Sequence, residues 1–383
     1  MPQRLKTDWV LFGTVLTMVS FGLLFLYSAS SISARLDPRY HSSWHFVVRQ
    51  AEWAIVAVIA MMALKRTEYR KLHNPALAFG ALGVSFLLAA AVYFIDRQHH
   101  RWLHIGPGNF QPSELTKPAL VLFLAFFVAW RRPAINNPRY TLAPAALAMG
   151  LVICAVAVAD LGTPIVLGAA VLSVFFAAGL EFRYCLMVAG VAALGVGFFV
   201  CAEPYRLGRV VRFVDPQFKL LEKFDRKGHV KEWIEHSLRA RDTNYQADQS
   251  KIAVGAGGPA GVGLMNGKQK LLYLPEAHTD FIYAVVAEET GLIGTLGLLV
   301  GFALIGWRGL RAAWRLRNDD FGRYLALGIT MVVVVQGLLN MSVVLDMMPT
   351  KGIPLPLVSY GGSSLLCTLA LLGVLMNVSE HAG

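Results

Sequence analysis

The stretch YLPEAHTDFIYAVVAEETGLIG, residues 273–294, runs from a polar loop directly into a long apolar segment. His278, Thr279 and Asp280 lie at the boundary, and two glutamates follow within the apolar part. Ionisable groups at the edge of a membrane span, or inside it, are costly and often mark a functional site. Helix capping is the alternative, because short polar side chains bond the free N–H groups at a helix start. Both explanations of Asp280 stay open at this point.

The composition identifies a membrane protein. Of the 383 residues, 56% are hydrophobic and only 15% are charged, whereas soluble domains carry about 25% charged residues. The formal net charge of +11 does not require a nucleic-acid partner, because cations in short loops are the usual orientation signal of multispanning proteins. The four cysteines are scattered through apolar segments and indicate neither a disulfide framework nor a metal site.

The hydropathy pattern predicts an all-α polytopic membrane protein with ten transmembrane helices. Lysine and arginine are concentrated in the loops on the side of the N-terminus, which predicts an N-in, C-in topology. We therefore treat residues 1–383 as a single membrane domain, with a large extracytoplasmic loop, 203–278, between helices seven and eight. The predicted spans are 9–29, 46–64, 75–95, 115–130, 142–159, 163–180, 184–202, 279–306, 324–348 and 354–378.

The long loop contains two distinctive segments, and loops of this length are usually functional or disordered. Residues 220–241 mix charges with spaced aromatic and aliphatic side chains, which predicts an amphipathic, interfacial helix. Residues 253–270, AVGAGGPAGVGLMNGKQK, are rich in glycine but lack the GxxxxGK[ST] pattern and follow no strand. They are therefore not a nucleotide-binding loop.

Two polar groups recur where lipid-facing sequence should not tolerate them. Glu114 and Lys117 are three residues apart, so they share one helix face and can form an ion pair that makes burial of both less costly. Asp160 lies in the sequence DLGT between two apolar spans. Each group has an alternative to a role in substrate binding. For Glu114 and Lys117 the alternative is structural pairing, and for Asp160 it is a turn or a helix cap.

Arginines are clustered on the predicted outer face. In YRLGRVVRF, residues 205–213, Arg206 and Arg209 are three residues apart and share a face if the segment is helical. Contacts with lipid headgroups are one explanation, and an anionic ligand such as a diphosphate is the other. A carboxylate beside such cations suits group transfer from a lipid diphosphate, with the carboxylate accepting a proton and the arginines or a divalent ion neutralising the leaving group.

At these motifs the chain resembles the shape, elongation, division and sporulation family, the FtsW and RodA group of peptidoglycan polymerases. Six strings carry the resemblance, in the same order along the chain. They are RWLHIGPGNFQPSELTK (101–117), DLGTPIVL (160–167), YRLGRVVRFVDP (205–216), YQADQSKIAVGAGGPAGVGL (245–264), LPEAHTDFIYAVVAEETGLIG (274–294) and PTKGIPLPLVSYGGSSLL (349–366).

The resemblance implies a glycosyltransferase that polymerises lipid II at the outer face of the bacterial cytoplasmic membrane and releases undecaprenyl diphosphate. It implies a class B penicillin-binding protein (FtsI-like) as partner, together with regulators of division. The strings LPEAHTDFI and PTKG are more similar to the division-type FtsW branch, acting at the septum, than to the RodA-type elongation branch, which is the alternative. Two rival functions also stay open: a flippase that moves lipid II across the bilayer, and a scaffold that only recruits the penicillin-binding protein.

The resemblance also implies site residues. Asp280 is the expected catalytic residue, as general base or as the group that orients the attacking hydroxyl. We expect no organic cofactor, although Mg²⁺ or Mn²⁺ could assist the cations. Asp346, before the PTKG string, stands where a small residue is commoner in the family, and the sequence gives no reason for it. The expected substrate-binding residues are Arg101, Glu114, Lys117, Asp160, Arg206, Arg209, Lys270 and His278.

Overall fold

A computed structural model describes residues 7–38, 40–96, 102–105, 108–215, 243–271 and 273–382. Twelve α-helices and one short β-hairpin account for most of these residues. The helices are α1 (Trp9–Leu36), α2 (His45–Arg66), α3 (Pro75–Ile95), α4 (Pro112–Arg131), α5 (Ala143–Ala159), α6 (Gly162–Ala177), α7 (Phe182–Cys201), α8 (Pro204–Val214), α9 (Thr243–Gly257), α10 (Ile282–Arg315), α11 (Asp320–Val344) and α12 (Gly362–His381).

Ten of these helices confirm the predicted spans. Nine are long and apolar enough to cross a membrane, and α6 is a shorter apolar helix of 16 residues. The boundaries differ most at the last span, because α12 begins at Gly362 and not at 354. Pro354 and Pro356 explain the difference, since proline lacks the N–H donor of a helix interior and disfavours helical geometry in the residue before it.

The hairpin lies in the connection before α4, and its strands are the only ones in the described residues. Strand β1 (Leu103–Ile105) pairs antiparallel with β2 (Gly108–Phe110), with Leu103 opposite Phe110. The predicted interfacial helix at 220–241 lies outside the described residues. On either side of that gap, α8 and α9 form the described helical parts of the long loop.

The packing is centred on α4, α11 and α12, which bury most of their apolar windows. Helix α12 packs against α2, α4 and α11, and α11 also contacts α6 and α10. At the periphery, α7 has no buried residue. The side chains of α7 are therefore at least partly exposed on the surface of the bundle, as expected for a lipid-facing helix.

Ion pairs join several helix ends at one end of the bundle. Asp8 accepts from Arg308 at 2.7 Å, and Glu380 pairs with Lys65 at 3.0 Å and accepts from Thr7 at 3.0 Å. The beginning of α1 and the end of α12 therefore lie at the same end, as an even number of spans demands. That this end is cytoplasmic remains a prediction, which rests on the distribution of loop cations.

The glycine-rich loop is inserted into a break in α10. Gly291 has φ 63° and ψ −151°, and this opens the helical hydrogen bonding around it. The N–H groups of Val262 and Gly263 donate to the carbonyls of Glu288 and Glu289, each at 3.0 Å. A glycine-rich sequence is required here because the two backbones approach too closely for side chains. The loop is thus docked on α10 through its backbone.

Candidate active site

A polar cavity of about 340 Å³ opens at the end of the bundle opposite the paired termini. Three carboxylates and three cations line it, together with residues from several helices and loops. Four of the predicted site residues therefore meet in one place, although they are far apart in the sequence. The charged lining residues are Asp160, Arg206, Arg209, Glu276, Asp280 and Lys351.

Asp280 lies in a turn, two residues before the first residue of α10. The N-cap of α10 is Phe281, whose side chain makes no capping hydrogen bond, while the Thr279 hydroxyl bonds Glu276 instead. Neither Thr279 nor Asp280 occupies the capping position. The capping alternative is therefore wrong for this helix start, and Asp280 is placed at the cavity wall.

Three successive carbonyl groups fix the backbone around Asp280. The carbonyl of His278 accepts from the Tyr360 N–H at 3.0 Å, and that of Thr279 from the Ser359 hydroxyl at 2.6 Å. The carbonyl of Asp280 accepts from Nδ2 of Asn340 at 2.8 Å. A peptide held at three consecutive positions cannot rotate freely, so the Asp280 side chain starts from a defined position.

Asn340 connects the two walls of the cavity. Its Nδ2 also donates to the carbonyl of Ile353 at 2.7 Å, so one amide bonds both the Asp280 segment and the 349–353 segment. The side chain is only 1% exposed, within helix α11. Sequence reasoning missed Asn340, although an amide inside an apolar span is a usable signal, since it must find partners there.

Arg206 is largely occupied by backbone carbonyls. Its guanidinium donates to Val158 at 2.6 Å, to Ala157 at 3.2 Å and to Phe199 at 3.4 Å. These carbonyls lie in the last turns of α5 and α7, where no intrahelical donor is available. Arg206 thus joins α8 to two membrane helices, a structural task that the sequence does not indicate.

Arg209 fixes the other side of the same wall. It donates to the carbonyl of Thr350 at 2.9 Å, bonds the Tyr205 hydroxyl and lies over the Tyr205 ring, 4.3 Å from its centre. The Thr350 contact and the Asn340 contact with Ile353 hold the 350–353 segment on both sides of Lys351.

Lys351 was not among the predicted site residues. Its ammonium has no hydrogen bond or ion pair with any residue in the described part of the chain. Burial lowers the pKa of Lys351, and the nearby Asp160 carboxylate partly opposes that shift. Asp160 itself accepts from the N–H of Gly162 at 2.8 Å and from the Thr163 hydroxyl at 2.8 Å. The capping alternative for Asp160 is therefore correct, even though the carboxylate also lines the cavity.

Glu114 and Lys117 form a buried ion pair that is not part of the cavity lining described above. Both carboxylate oxygens of Glu114 lie 2.7 Å from the Lys117 ammonium, and the residues are 1% and 3% exposed. Pairing of this kind satisfies both charges within the bundle. The geometry favours the structural alternative, and a substrate role for the pair stays a prediction.

Three further predicted site residues also lie away from the cavity lining or outside the described residues. Lys270 is buried and bonds Glu289 at 2.5 Å, which anchors the glycine-rich loop. His278 packs against the ring of Phe46 at 4.6 Å, and burial lowers its pKa. Arg101 lies outside the described residues. Substrate contacts of these three residues stay predictions.

A metal ion would need oxygens from a substrate. In the described ranges, no group of three or more His, Cys, Asp or Glu side chains is arranged to hold a metal. Mg²⁺ is commonly held by one or two carboxylates together with phosphate oxygens. Asp280 lines the cavity and is a carboxylate of that kind, whereas Asp160 bonds the start of α6.

An apolar groove of about 290 Å³ adjoins the polar cavity. It lies between α5, α6 and α7, and the side chains that line it are almost all aliphatic or aromatic. Leu161 lines both the groove and the polar cavity. The combined site can therefore accept a ligand with a charged head and a hydrocarbon chain.

Comparison with known proteins gives full-length matches. The family model of the FtsW/RodA/SpoVE proteins, described as cell cycle protein, matches residues 8–383. A relative from Geobacter sp. (strain M18), named probable peptidoglycan glycosyltransferase FtsW, is 35% identical over 98% of this chain and 97% of its own.

Two solved structures are similar along nearly the whole chain. A chain from a peptidoglycan synthase complex, described as coordinating polymerization and crosslinking, is 28% identical with a TM-score of 0.72 and covers 98% of both chains. The rod shape determining protein RodA of Thermus thermophilus is 27% identical with a TM-score of 0.64, covering 97% of this chain and 96% of its own.

Proposed function

This chain belongs to the FtsW/RodA/SpoVE family of cell cycle proteins, and on that premise we propose that it is a peptidoglycan glycosyltransferase. It polymerises lipid II at the outer face of the cytoplasmic membrane and releases undecaprenyl diphosphate. The observation that carries the proposal is the site itself, a polar cavity with Asp280 and cations that shares Leu161 with an apolar groove. Lipid II has the same two-part chemistry, a charged diphosphate sugar on a hydrocarbon chain.

Asp280 accepts the proton in the proposed reaction. The 4-hydroxyl oxygen of one lipid-linked disaccharide attacks the anomeric carbon of the growing strand, with inversion. A C–O bond forms there, the bond from the anomeric carbon to the diphosphate breaks, and the diphosphate leaves with the electron pair. The hydroxyl proton passes to the Asp280 carboxylate, whose backbone is already fixed by three hydrogen bonds.

Cations stabilise the leaving diphosphate in this scheme. Arg209 contributes positive charge, which has its greatest effect where water is excluded, and Arg101 is a further candidate from the sequence. Mg²⁺ or Mn²⁺, held by Asp280 and the substrate oxygens, would supply further neutralisation. Omitting divalent ions and adding a chelator to a polymerisation assay tests this part: unchanged strand synthesis contradicts a metal requirement.

A role in division is the more specific part of the proposal. Relatives named FtsW match this chain over nearly its full length at 34–35% identity, and a structurally similar chain comes from a complex that couples polymerization to crosslinking. We propose a class B penicillin-binding protein as partner and the division septum as location. An elongation role is the alternative, and the structural similarity to RodA favours it. Complementation of strains depleted of either activity distinguishes the two.

Polymerisation by the purified protein in proteoliposomes with labelled lipid II tests the reaction. Asp280→Asn keeps the size of the side chain and removes its basicity, so we expect strand synthesis to fall by at least about 100-fold. Asp248→Asn, which removes an exposed carboxylate on α9, is the control and should retain normal synthesis. Moenomycin excludes contaminating polymerases of the other class.

The same assay, together with complementation of a deletion strain, separates polymerisation from the two rival functions. A flippase moves lipid II across the bilayer without making polymer, and a scaffold leaves an Asp280→Asn variant able to complement a deletion strain. Near wild-type polymer from the Asp280→Asn variant refutes the role of Asp280 as base.

A further inference from the structure

We propose that Lys351 binds the diphosphate of the lipid-linked donor and carries the main direct contact with the leaving group. This assignment rests on the proposed function, since it names the residue that recognises that substrate. It differs from the expectation that the arginines of residues 205–213 do so. The cations of the site differ in how many of their hydrogen-bond donors are already bonded to the protein. That difference distinguishes Lys351 from the two arginines.

The two arginines of the cavity already have protein partners. Arg206 donates to three carbonyls in the last turns of α5 and α7. Arg209 donates to Thr350 and to the Tyr205 hydroxyl, and stacks on that ring. If either guanidinium turned toward a ligand, these carbonyl groups would lose their donor, which is unfavourable.

Lys351, unlike the two arginines, has no protein partner for its ammonium among the described residues. It lines the same cavity as Asp280, is partly buried, and makes no hydrogen bond or ion pair with the described residues. Removing an ammonium from water without a partner is unfavourable. An ammonium held at a cavity wall without a protein partner is typical of a binding site, where a ligand supplies the partner.

The backbone around Lys351 is held in place for such a contact. Arg209 bonds the carbonyl of the preceding residue, Thr350, and Asn340 bonds the carbonyl of Ile353, two residues later. Asn340 bonds the Asp280 carbonyl with the same amide. The ammonium and the carboxylate therefore lie on segments that are joined by one side chain, and both residues line the same cavity.

Binding of undecaprenyl diphosphate to the full-length protein in lipid nanodiscs tests the assignment, with undecaprenyl phosphate as second probe. One charge-assisted hydrogen bond corresponds to about a 10- to 100-fold change in affinity. We expect Lys351→Met to weaken binding of the diphosphate by that factor and Lys351→Arg to retain most of it. Arg35→Gln, which removes an exposed cation at the end of α1, is the matched control and should bind normally.

Thermal unfolding of the same variants separates binding from folding. Because Lys351 has no partner among the described residues, Lys351→Met should leave the melting temperature unchanged or raise it. Unchanged diphosphate affinity in Lys351→Met overturns the assignment, and so does a loss of affinity that Arg35→Gln shares.

Diphosphate binding is measured independently of turnover. If Lys351→Met binds normally while the wild type polymerises lipid II, the assignment fails and the proposed function stands. If wild-type protein binds the diphosphate through Lys351 but makes no polymer, the proposed function fails and the binding site stands.

Discussion

Replacing Asn340 with leucine should uncouple the two walls of the active site. The change keeps a similar side-chain volume but removes both donors, which reach the carbonyls of Asp280 at 2.8 Å and of Ile353 at 2.7 Å. Each buried acceptor left unsatisfied costs about 1–3 kcal/mol. The contact with Asp280 is partly buried and the contact with Ile353 is buried, so we expect roughly 2–4 kcal/mol of lost stability in total.

The effect on catalysis should exceed the effect on stability. A displacement of about 1 Å at a reacting group can reduce the rate by about 100-fold. The Asn340 amide bonds both the Asp280 carbonyl and the segment that carries Lys351. We therefore expect kcat per folded molecule to fall by about 10- to 100-fold. The measurement is lipid II polymerisation in proteoliposomes, normalised to the folded fraction from thermal unfolding.

Asn377→Leu provides a matched control. Asn377 is also 1% exposed and makes two hydrogen bonds through its amide, to the carbonyl of Lys65 at 2.7 Å and from the N–H of Tyr69 at 2.9 Å. It lies at the opposite end of the bundle, so its replacement should lower stability without a specific loss of kcat. Equal kcat values for the two variants, after correction for folding, would refute the positioning role of Asn340.

Three further changes test other parts of the structure. Lys117→Met leaves the buried Glu114 carboxylate unpaired and should destabilise the protein by about 3–5 kcal/mol, whereas adding Glu114→Gln should restore much of that in thermal unfolding; no recovery would contradict a purely structural pair. Gly291→Val places a side chain against the docked glycine-rich loop at a positive φ and should expose residues 258–263 to proteolysis, while normal resistance would contradict the docking. Burial lowers the pKa of His278 below its ordinary value of about 6.5, so stability should fall as the pH drops below 6.5, because the unfolded chain binds a proton that the folded chain does not; His278→Phe should lessen this acid sensitivity, and an unchanged pH profile would refute the cause.

The ten spans could be predicted because lipid imposes length and apolarity on each segment separately. The break in α10 could not, since it depends on residues 258–263 meeting residues 288–292 from another part of the sequence. Periodicity describes one helix at a time and gives no information on such pairing. The start of α12 was misplaced for a local reason, since two prolines lie within apolar sequence.

The sequence predicted several residues that line the candidate site, but it predicted the contacts of those residues only in part. Four of the predicted residues line one cavity, because polar side chains at the ends of spans avoid lipid and collect where the bundle is polar. They are Asp160, Arg206, Arg209 and Asp280. The sequence could not show that Arg206 bonds helix carbonyls, since those acceptors carry no sequence signature.

The structure also supplies a reason for Asp346, which the sequence did not explain. Its carboxylate pairs with Lys251 at 2.9 Å and so joins the end of α11 to α9 of the long loop. Its φ of 56° lies in the left-handed region, which aspartate tolerates better than most residues. The pair also raises the pKa of Lys251 through the hydrogen bond with Asp346.

The placement of Asp280 bears on which chemical role it takes. The Asp280 carboxyl group lies two residues before the first residue of α10 and lines the same cavity as three cations, so it can hold a hydroxyl or an ion as well as accept a proton. The three roles respond differently to substitution. Asp280→Glu preserves a proton acceptor but displaces it by one methylene, and Asp280→Asn preserves a hydroxyl-orienting oxygen without basicity. Greater residual synthesis by the glutamate variant indicates a base, whereas greater synthesis by the asparagine variant indicates orientation; rescue of either by Mn²⁺ indicates a metal ligand.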